Sequence, residues 1–173
     1  PFYKISSFEM NDYTLLERVI KTKKPIIIST GTSTLKEIND VMQFIKKRKV
    51  KNISLLYCVS NYPANSDDFN LNNIKILKKK FNCRVGLSDH SKDNHIAVAA
   101  VSAGAEIFEK HIACKASKKS PDYKFSLIDE EIRSYRKCLD QTHKMLEKDY
   151  FFRSDKENFY RNFRRSIFAV ENI

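Results

Sequence analysis

Reactive side chains recur at the ends of short apolar runs in this chain. Lys4, Ser7 and Glu9 end or follow FYKIS, and Ser29 and Thr30 close PIIIST. Ser60, Asn61 and Tyr62 follow ISLLYCV, Ser88, Asp89 and His90 close or follow VGLSD, and Glu109, Lys110 and His111 lie in IFEKHI. Two of the four histidines therefore end consecutive runs. If those runs are neighbouring parallel strands, about 4.8 Å apart, imidazoles at matching heights reach one divalent cation, with carboxylates or waters completing the shell. The competing expectation is that each imidazole hydrogen-bonds a nearby loop. His95 and His143 fall in helical segments and are expected on the surface.

A second chemistry is anion binding. STGTSTLKE sets hydroxyls and Gly31 between a strand end and a helix start, where free amides and the helix dipole favour a phosphate or carboxylate. Lys4 and Lys110 add fixed positive charge. An inward-pointing lysine costs desolvation energy unless an anion compensates it. The plainer reading is ordinary capping by Thr34, whose TLKE run is a capping box, with Ser29 and Thr30 as turn residues.

The elements that must carry these groups follow from periodicity. The apolar runs at 2–6, 25–30, 53–59, 85–89 and 107–112 read as five strands, and the spacers LLERVIKTKK, TLKEINDVMQFIKKRK, LNNIKILKKKF and NHIAVAAVSAGA have helical spacing. Strand and helix in alternation predict a parallel sheet. PIII and ISLLYCV are almost continuously apolar, so both faces are buried, as in a doubly wound sheet or a barrel. No GxGxxG or GxxxxGK[ST] follows any strand and the chain has three glycines, which weighs against nucleotide-binding sheets. A charged helix over roughly 128–147 is followed by YFFRSDKENFYRNFRRS, aromatic but without a clear period.

Composition bounds the rest. With 173 residues, 42% hydrophobic and 31% charged, the chain can bury one sizeable core. The net charge of +11 admits nucleic acid, an anionic surface or a small anionic substrate. No apolar run approaches the ~20 residues of a membrane span, which argues against an integral membrane protein. The start, PFYKISSFEM, has neither an initiator Met nor the pattern of a signal peptide, and reads as an internal stretch of a longer protein. Cys58, Cys83, Cys114 and Cys138 form no CxxC pair and are expected as reduced thiols, Cys58 as a small buried hydrophobe.

Taken in order, KISSFE, PIIISTG, CVSNYP, VGLSDH and EKH resemble the sialic acid synthase family of phosphoenolpyruvate-condensing enzymes, and the likeness runs from Lys4 through RRSIFAVENI. The resemblance implies an α/β fold, a TIM (β/α)8 barrel of which the last five βα units are present. Residues 1–148 would be part of the catalytic barrel and 149–173 a connector towards a C-terminal antifreeze-like domain. It also implies condensation of phosphoenolpyruvate with an N-acetylated amino sugar in its open-chain aldehyde form, with a divalent metal, Mn2+ or Mg2+, and release of phosphate. Residue by residue, His90 and His111 match metal ligands, and Lys4, Ser7 and Ser29 match positions that hold phosphoenolpyruvate. Tyr62 and Asp122, in SPDYKFSL, match sugar-side positions, and Ser60, also expected to bind substrate, stands where some relatives carry Asn. Glu109, with Lys110 beside it, is the acid–base candidate; the alternative for Glu109 is a buried partner of Lys110 or Lys4. The family further implies a cytoplasmic homodimer that does not enter a membrane.

Phe8 in KISSFE departs from the KIGSGE-like form of N-acetylneuraminate synthases and is nearer the KIASFE-like form of pseudaminic acid synthases and spore-coat relatives. The resemblance therefore leans towards pseudaminic acid, with neuraminate, legionaminate and spore-coat polysaccharide synthases as alternatives. A reading of another class is a basic nucleic-acid module, since the stretch from Lys144 to Arg165 interleaves aromatics with seven basic and four acidic residues. A third keeps the barrel but uses a sugar phosphate, and that would need a second phosphate cradle which these residues do not supply.

Overall fold

The computed structural model describes residues 1–165, 167 and 170–172. Ser166, Phe168, Ala169 and Ile173, which fall in the terminal stretch of the resemblance and in the expected connector, lie outside the described residues. Five strands form one sheet: β1 (Tyr3–Ile5), β2 (Ile26–Ser29), β3 (Ile53–Cys58), β4 (Arg84–Asp89) and β5 (Phe108–Lys110). All pairings are parallel and the spatial order equals the chain order. A doubly wound sheet reverses its order at a switch point. Here there is no reversal, so every crossover helix falls on the same face.

Those crossovers are α1 (Tyr13–Lys21), α2 (Leu35–Lys47), α3 (Asn72–Phe81) and α4 (Asn94–Ser102). The core lies between them and the convex face of the sheet. Ile5, Ile28, Leu55, Val85 and Leu87 from alternate strand positions pack against Leu16, Val41, Ile45, Ile74 and Ile96. The sheet is curled, since Lys4 of the first strand reaches Glu109 of the last, Nζ to Oε1 3.1 Å, across the concave side. The architecture is therefore the singly wound arc of a barrel.

Local chemistry explains the element boundaries. Thr34 caps α2 as its sequence predicts: the Glu37 amide donates to Thr34 Oγ1 (3.2 Å) and the Thr34 amide donates to Glu37 Oε2 (2.7 Å). Hydrogen bonds from Thr34 hold the Glu37 carboxyl below the usual carboxylate range. Thr34→Ala should cost about 1 kcal/mol, read from the shift of the chemical denaturation midpoint. Asn82 ends α3 in the left-handed conformation at φ 48°.

Two further helices, α5 (Glu130–Met145) and α6 (Asp155–Phe159), complete the described chain. The first packs on α4 around Ala97, Leu127 and Tyr135. The second falls in the stretch without a clear period, where Ser154 caps it by accepting from the Glu157 amide. Around it Phe151, Phe159, Tyr160 and Phe163 are exposed. Among the described residues no helix is long and apolar enough to cross a membrane.

Candidate active site

Side chains alternate faces along a strand, and that parity decides which strand-end groups meet. Leu87 and Asp89 point to the helix side, so Ser88 and then His90 point to the concave side; Glu109 and His111 do the same on the neighbouring strand. The register pairs Ser88 with Glu109 and Cys58 with Ser88. On the concave side the Ser88 hydroxyl donates to Glu109 Oε2 (2.6 Å), and Lys4 pairs with Oε1 of the same carboxylate (3.1 Å). Of the two partners open to Glu109, the structure supplies Lys4.

The two imidazoles converge. Their ring centroids are 5.3 Å apart, and Tyr62 lies 4.2 Å from His90 and 6.3 Å from His111, centroid to centroid. His90 Nδ1 is 2.8 Å from the Val59 carbonyl. A carbonyl only accepts, so Nδ1 carries the hydrogen and the Nε2 lone pair is left free. Burial pushes His90 down, but hydrogen bonds to Cys58 and to Val59 outweigh it and the net direction is up. Burial and then the charge of His90 push His111 down.

The loop after β5 closes the far side. Leu127 donates to the His111 carbonyl (2.9 Å) and Ala113 to that of Leu127 (3.0 Å), folding the loop back on the edge of the sheet. This sets Asp122 Oδ2 3.7 Å from His111 Nδ1 and places the buried Phe125 ring 5.0 Å from that imidazole.

On the other flank, Ser7 lies in a single 3-10 turn after β1 and accepts from the Gly31 amide (3.0 Å). Gly31 has no room for a side chain: a Cβ there would lie 2.3 Å from Ser60 Oγ and 2.8 Å from Ser7 Oγ. Ser29 Oγ is buried and, among the described residues, is the side-chain polar atom left without a hydrogen-bond partner. A buried hydroxyl with no partner costs about 1–3 kcal/mol, a cost that any bound acceptor or donor would relieve. The capping box of α2 occupies two of the helix-start donors.

Lys110, expected beside Glu109, is on the opposite face. It pairs with Asp89 (3.0 Å), where the two side chains are 7% and 0% exposed, and it donates to the Ser91 carbonyl. The physical reason is parity, because a residue adjacent to Glu109 and His111 cannot share their face. His95 and His143 are exposed, as expected, and His95 Nε2 lies 3.0 Å from Ser66 Oγ. Cys58 is buried as expected but in polar company, 3.9 Å from both Ser60 Oγ and His90 Nδ1. Burial raises its thiol, and hydrogen bonds from His90, Ser7 and Ser60 more than offset this, so the net direction is down.

Reading the strand ends without parity misses Ser88 as a partner of Glu109, and the apolar Phe125 gives no chemical signal at all. Two-residue alternation identifies Ser88, which is two positions before His90.

The donor set fits a divalent cation. His90 offers Nε2 because Nδ1 is committed to a carbonyl, burial favours the uncharged form of His111, and Asp122 lies beside that imidazole. Among the described residues no group of three or more His, Cys, Asp or Glu could hold a metal ion. Two imidazoles therefore leave the remaining positions to water and to substrate oxygens.

The NeuB family matches residues 1–150. Pseudaminic acid synthase of Campylobacter jejuni subsp. jejuni serotype O:2 is 39% identical over 171 residues, covering 99% of this chain and 50% of its own. N,N'-diacetyllegionaminic acid synthase of the same organism is 38% identical over 133 residues, 76% of this chain and 40% of its own. The crystal structure of N-acetylneuraminic acid synthetase from Leptospira borgpetersenii serovar Hardjo-bovis superimposes with a TM-score of 0.82 at 34% identity, covering 93% of this chain and 56% of that one. The chain thus spans about half the length of the curated relatives it matches. With a singly wound parallel arc, two imidazoles meeting at its strand ends and the family match over residues 1–150, the chain belongs to the NeuB family and carries part of its TIM-barrel fold.

Proposed function

We propose that the protein carrying this chain is a nonulosonic acid synthase that condenses phosphoenolpyruvate with an N-acetylated amino sugar, a pseudaminic acid synthase in preference to a legionaminic or neuraminic one. The observation that carries this reading is the convergence of Lys4, Ser29, Glu109, His90 and His111 on one concave face from four strands. A cation site and an anion site then lie side by side, as a reaction between a carbonyl and a phosphorylated enol requires. The lean towards the pseudaminic precursor rests on Phe8 and on the identity with the Campylobacter pseudaminic acid synthase. Phe8 itself is 74% exposed, so its ring is accessible to a ligand.

In the reaction, Lys4 and the hydroxyls of Ser7 and Ser29 hold the carboxylate and phosphate of phosphoenolpyruvate. Tyr62, Ser60 and Asp122 orient the sugar so that its aldehyde carbon faces C3 of the enol. When bound by His90 and His111, a divalent cation, Mn2+ or Mg2+, supplies Lewis-acid polarisation of the aldehyde. The C–C bond forms, the aldehyde oxygen gains a proton, and C2 becomes an oxocarbenium that water captures. Glu109 accepts the proton of that water while Lys4 and Ser88 hold its carboxylate in place. The C2–O bond to phosphate then breaks with its electron pair going to the phosphate oxygen while the C2 hydroxyl gives its proton to the departing phosphate, giving inorganic phosphate and a 2-keto acid. The proton taken by Glu109 returns to solvent in place of the one the aldehyde oxygen took up. Residues 149–173 act as a connector to an antifreeze-like domain, and the full-length protein works as a cytoplasmic homodimer. The exposed aromatics from Tyr150 to Phe163 support a surface that is covered in the complete protein.

The test is phosphoenolpyruvate labelled with oxygen-18 in the C–O–P bridge. Labelled phosphate should appear only with sugar and metal present. Label retained in the organic product would exclude C–O cleavage, and labelled phosphate released with N-acetylmannosamine alone would keep the reaction but remove the pseudaminic preference.

Lys4→Ala should raise the phosphoenolpyruvate KM about 10- to 100-fold, the worth of a hydrogen bond to a charged group. Steady-state kinetics with each substrate varied in turn checks this. A loss confined to the sugar would remove Lys4 from the phosphoenolpyruvate site.

A further inference from the structure

The side of the sheet facing away from the cluster holds a second polar assembly, built at the height where the two strands stop pairing. Asp89 and Lys110 are the last registered pair of β4 and β5. The next residues along the chain are His90 and His111, which lie past the last registered pair, where the Ala64 amide donates to the His90 carbonyl (3.1 Å) and the Leu127 amide to that of His111 (2.9 Å). Behind them the Asp89 carboxylate receives four donors: the Ser91 amide (2.8 Å), the Ser91 hydroxyl (2.7 Å), the Tyr135 hydroxyl (3.0 Å) and the Lys110 ammonium (3.0 Å). Lys110 also donates to the Ser91 carbonyl and lies 5.4 Å from the centre of the Tyr135 ring. Tyr135 comes from α5, the helix that packs on α4, so the assembly ties both strand ends to the helical layer.

Such an assembly is a poor way to gain stability. Two buried charges lose their hydration, and apolar residues of similar volume are often as stabilising or more so. What an ion pair with four directional donors supplies is geometry, because it holds two backbones at one height and one angle.

We propose that Asp89, Lys110 and Tyr135 are positioning residues: by clamping the ends of β4 and β5 from the helix side, they set the separation of His90 and His111 at which the two imidazoles share one cation. The inference rests on the two-histidine reading above and gives Lys110 a role at a distance from the substrate. Side-chain parity makes the device economical, since each strand end turns one residue to the site and its neighbour to the clamp.

The test measures Mn2+ affinity of the intact protein directly, from the electron paramagnetic resonance signal of the free ion, together with the melting temperature. Tyr135→Phe keeps the ring and removes one donor to Asp89, so the fold survives. Its Mn2+ dissociation constant should rise about tenfold, the low end of what contacts behind a ligand deliver, and kcat should fall with little change in the phosphoenolpyruvate KM. Asp89→Asn should weaken Mn2+ further. Mn2+ affinity within twofold of the unaltered protein in Tyr135→Phe, with only the melting temperature lowered, overturns the inference and makes the clamp a folding element. Loss of binding in His90→Ala beside intact binding in Tyr135→Phe overturns the inference alone, whereas no binding by the unaltered protein overturns the two-histidine reading and the inference with it.

Discussion

His90→Ala is expected to lower kcat/KM by about 10³-fold or more. The variant removes one of two imidazoles whose centroids are 5.3 Å apart, and leaves His111 with Asp122 as its neighbouring acidic group. Lewis-acid stabilisation of a developing alkoxide supplies several kcal/mol, and each 1.36 kcal/mol is a factor of ten in rate. The same substitution removes the ring that Tyr62 faces at 4.2 Å, so Tyr62 also loses a packing partner. Steady-state kinetics of the intact enzyme under saturating metal checks the value. Activity within tenfold of the unaltered enzyme would end the assignment of His90 as a ligand.

Gly86→Ala is expected to destabilise the fold by about 3 kcal/mol, at the upper end for overpacking a filled site. A Cβ on Gly86 would lie 2.0 Å from the Ile107 carbonyl oxygen and 2.7 Å from its carbon. Both are backbone atoms, so no rotamer change relieves the contact. That carbonyl accepts from the Leu87 amide at 2.8 Å, and displacing it loosens β5 where it joins β4. The strand that moves carries Glu109 and leads into His111, so activity should fall along with stability. The chemical denaturation midpoint is the measurement. Gly86→Ala with an unshifted midpoint would mean that β5 yields without cost, contrary to its close seating on β4.

Several features of this protein were determined by local sequence. Each strand run was legible because continuous apolar stretches of four to seven residues between amphipathic segments have few other uses in a parallel sheet. The start of α2 was legible because a capping box is a contact within four residues. The pairing of His90 with His111 was legible in outline, because two strand ends with the same residue type invite the comparison. Parity was also in the sequence, and applied to EKH it separates Lys110 from Glu109 and His111.

Tertiary structure decided what depends on closure. Whether a run of βα units winds one way or two is set by which face each crossover chooses, and both choices bury the same apolar runs, so the sequence left barrel and doubly wound sheet open. Lys4 meets Glu109 only because the sheet curls enough to bring its first and last strands within 3.1 Å across the concavity. Phe125 and Asp122 reach His111 only because the loop folds back through Leu127. Asp89 finds Tyr135 from a helix 46 residues further along. Periodicity reports which way a side chain points relative to its own element, and it carries no information on which other element lies opposite; that is fixed by strand twist, crossover direction and packing of the whole arc.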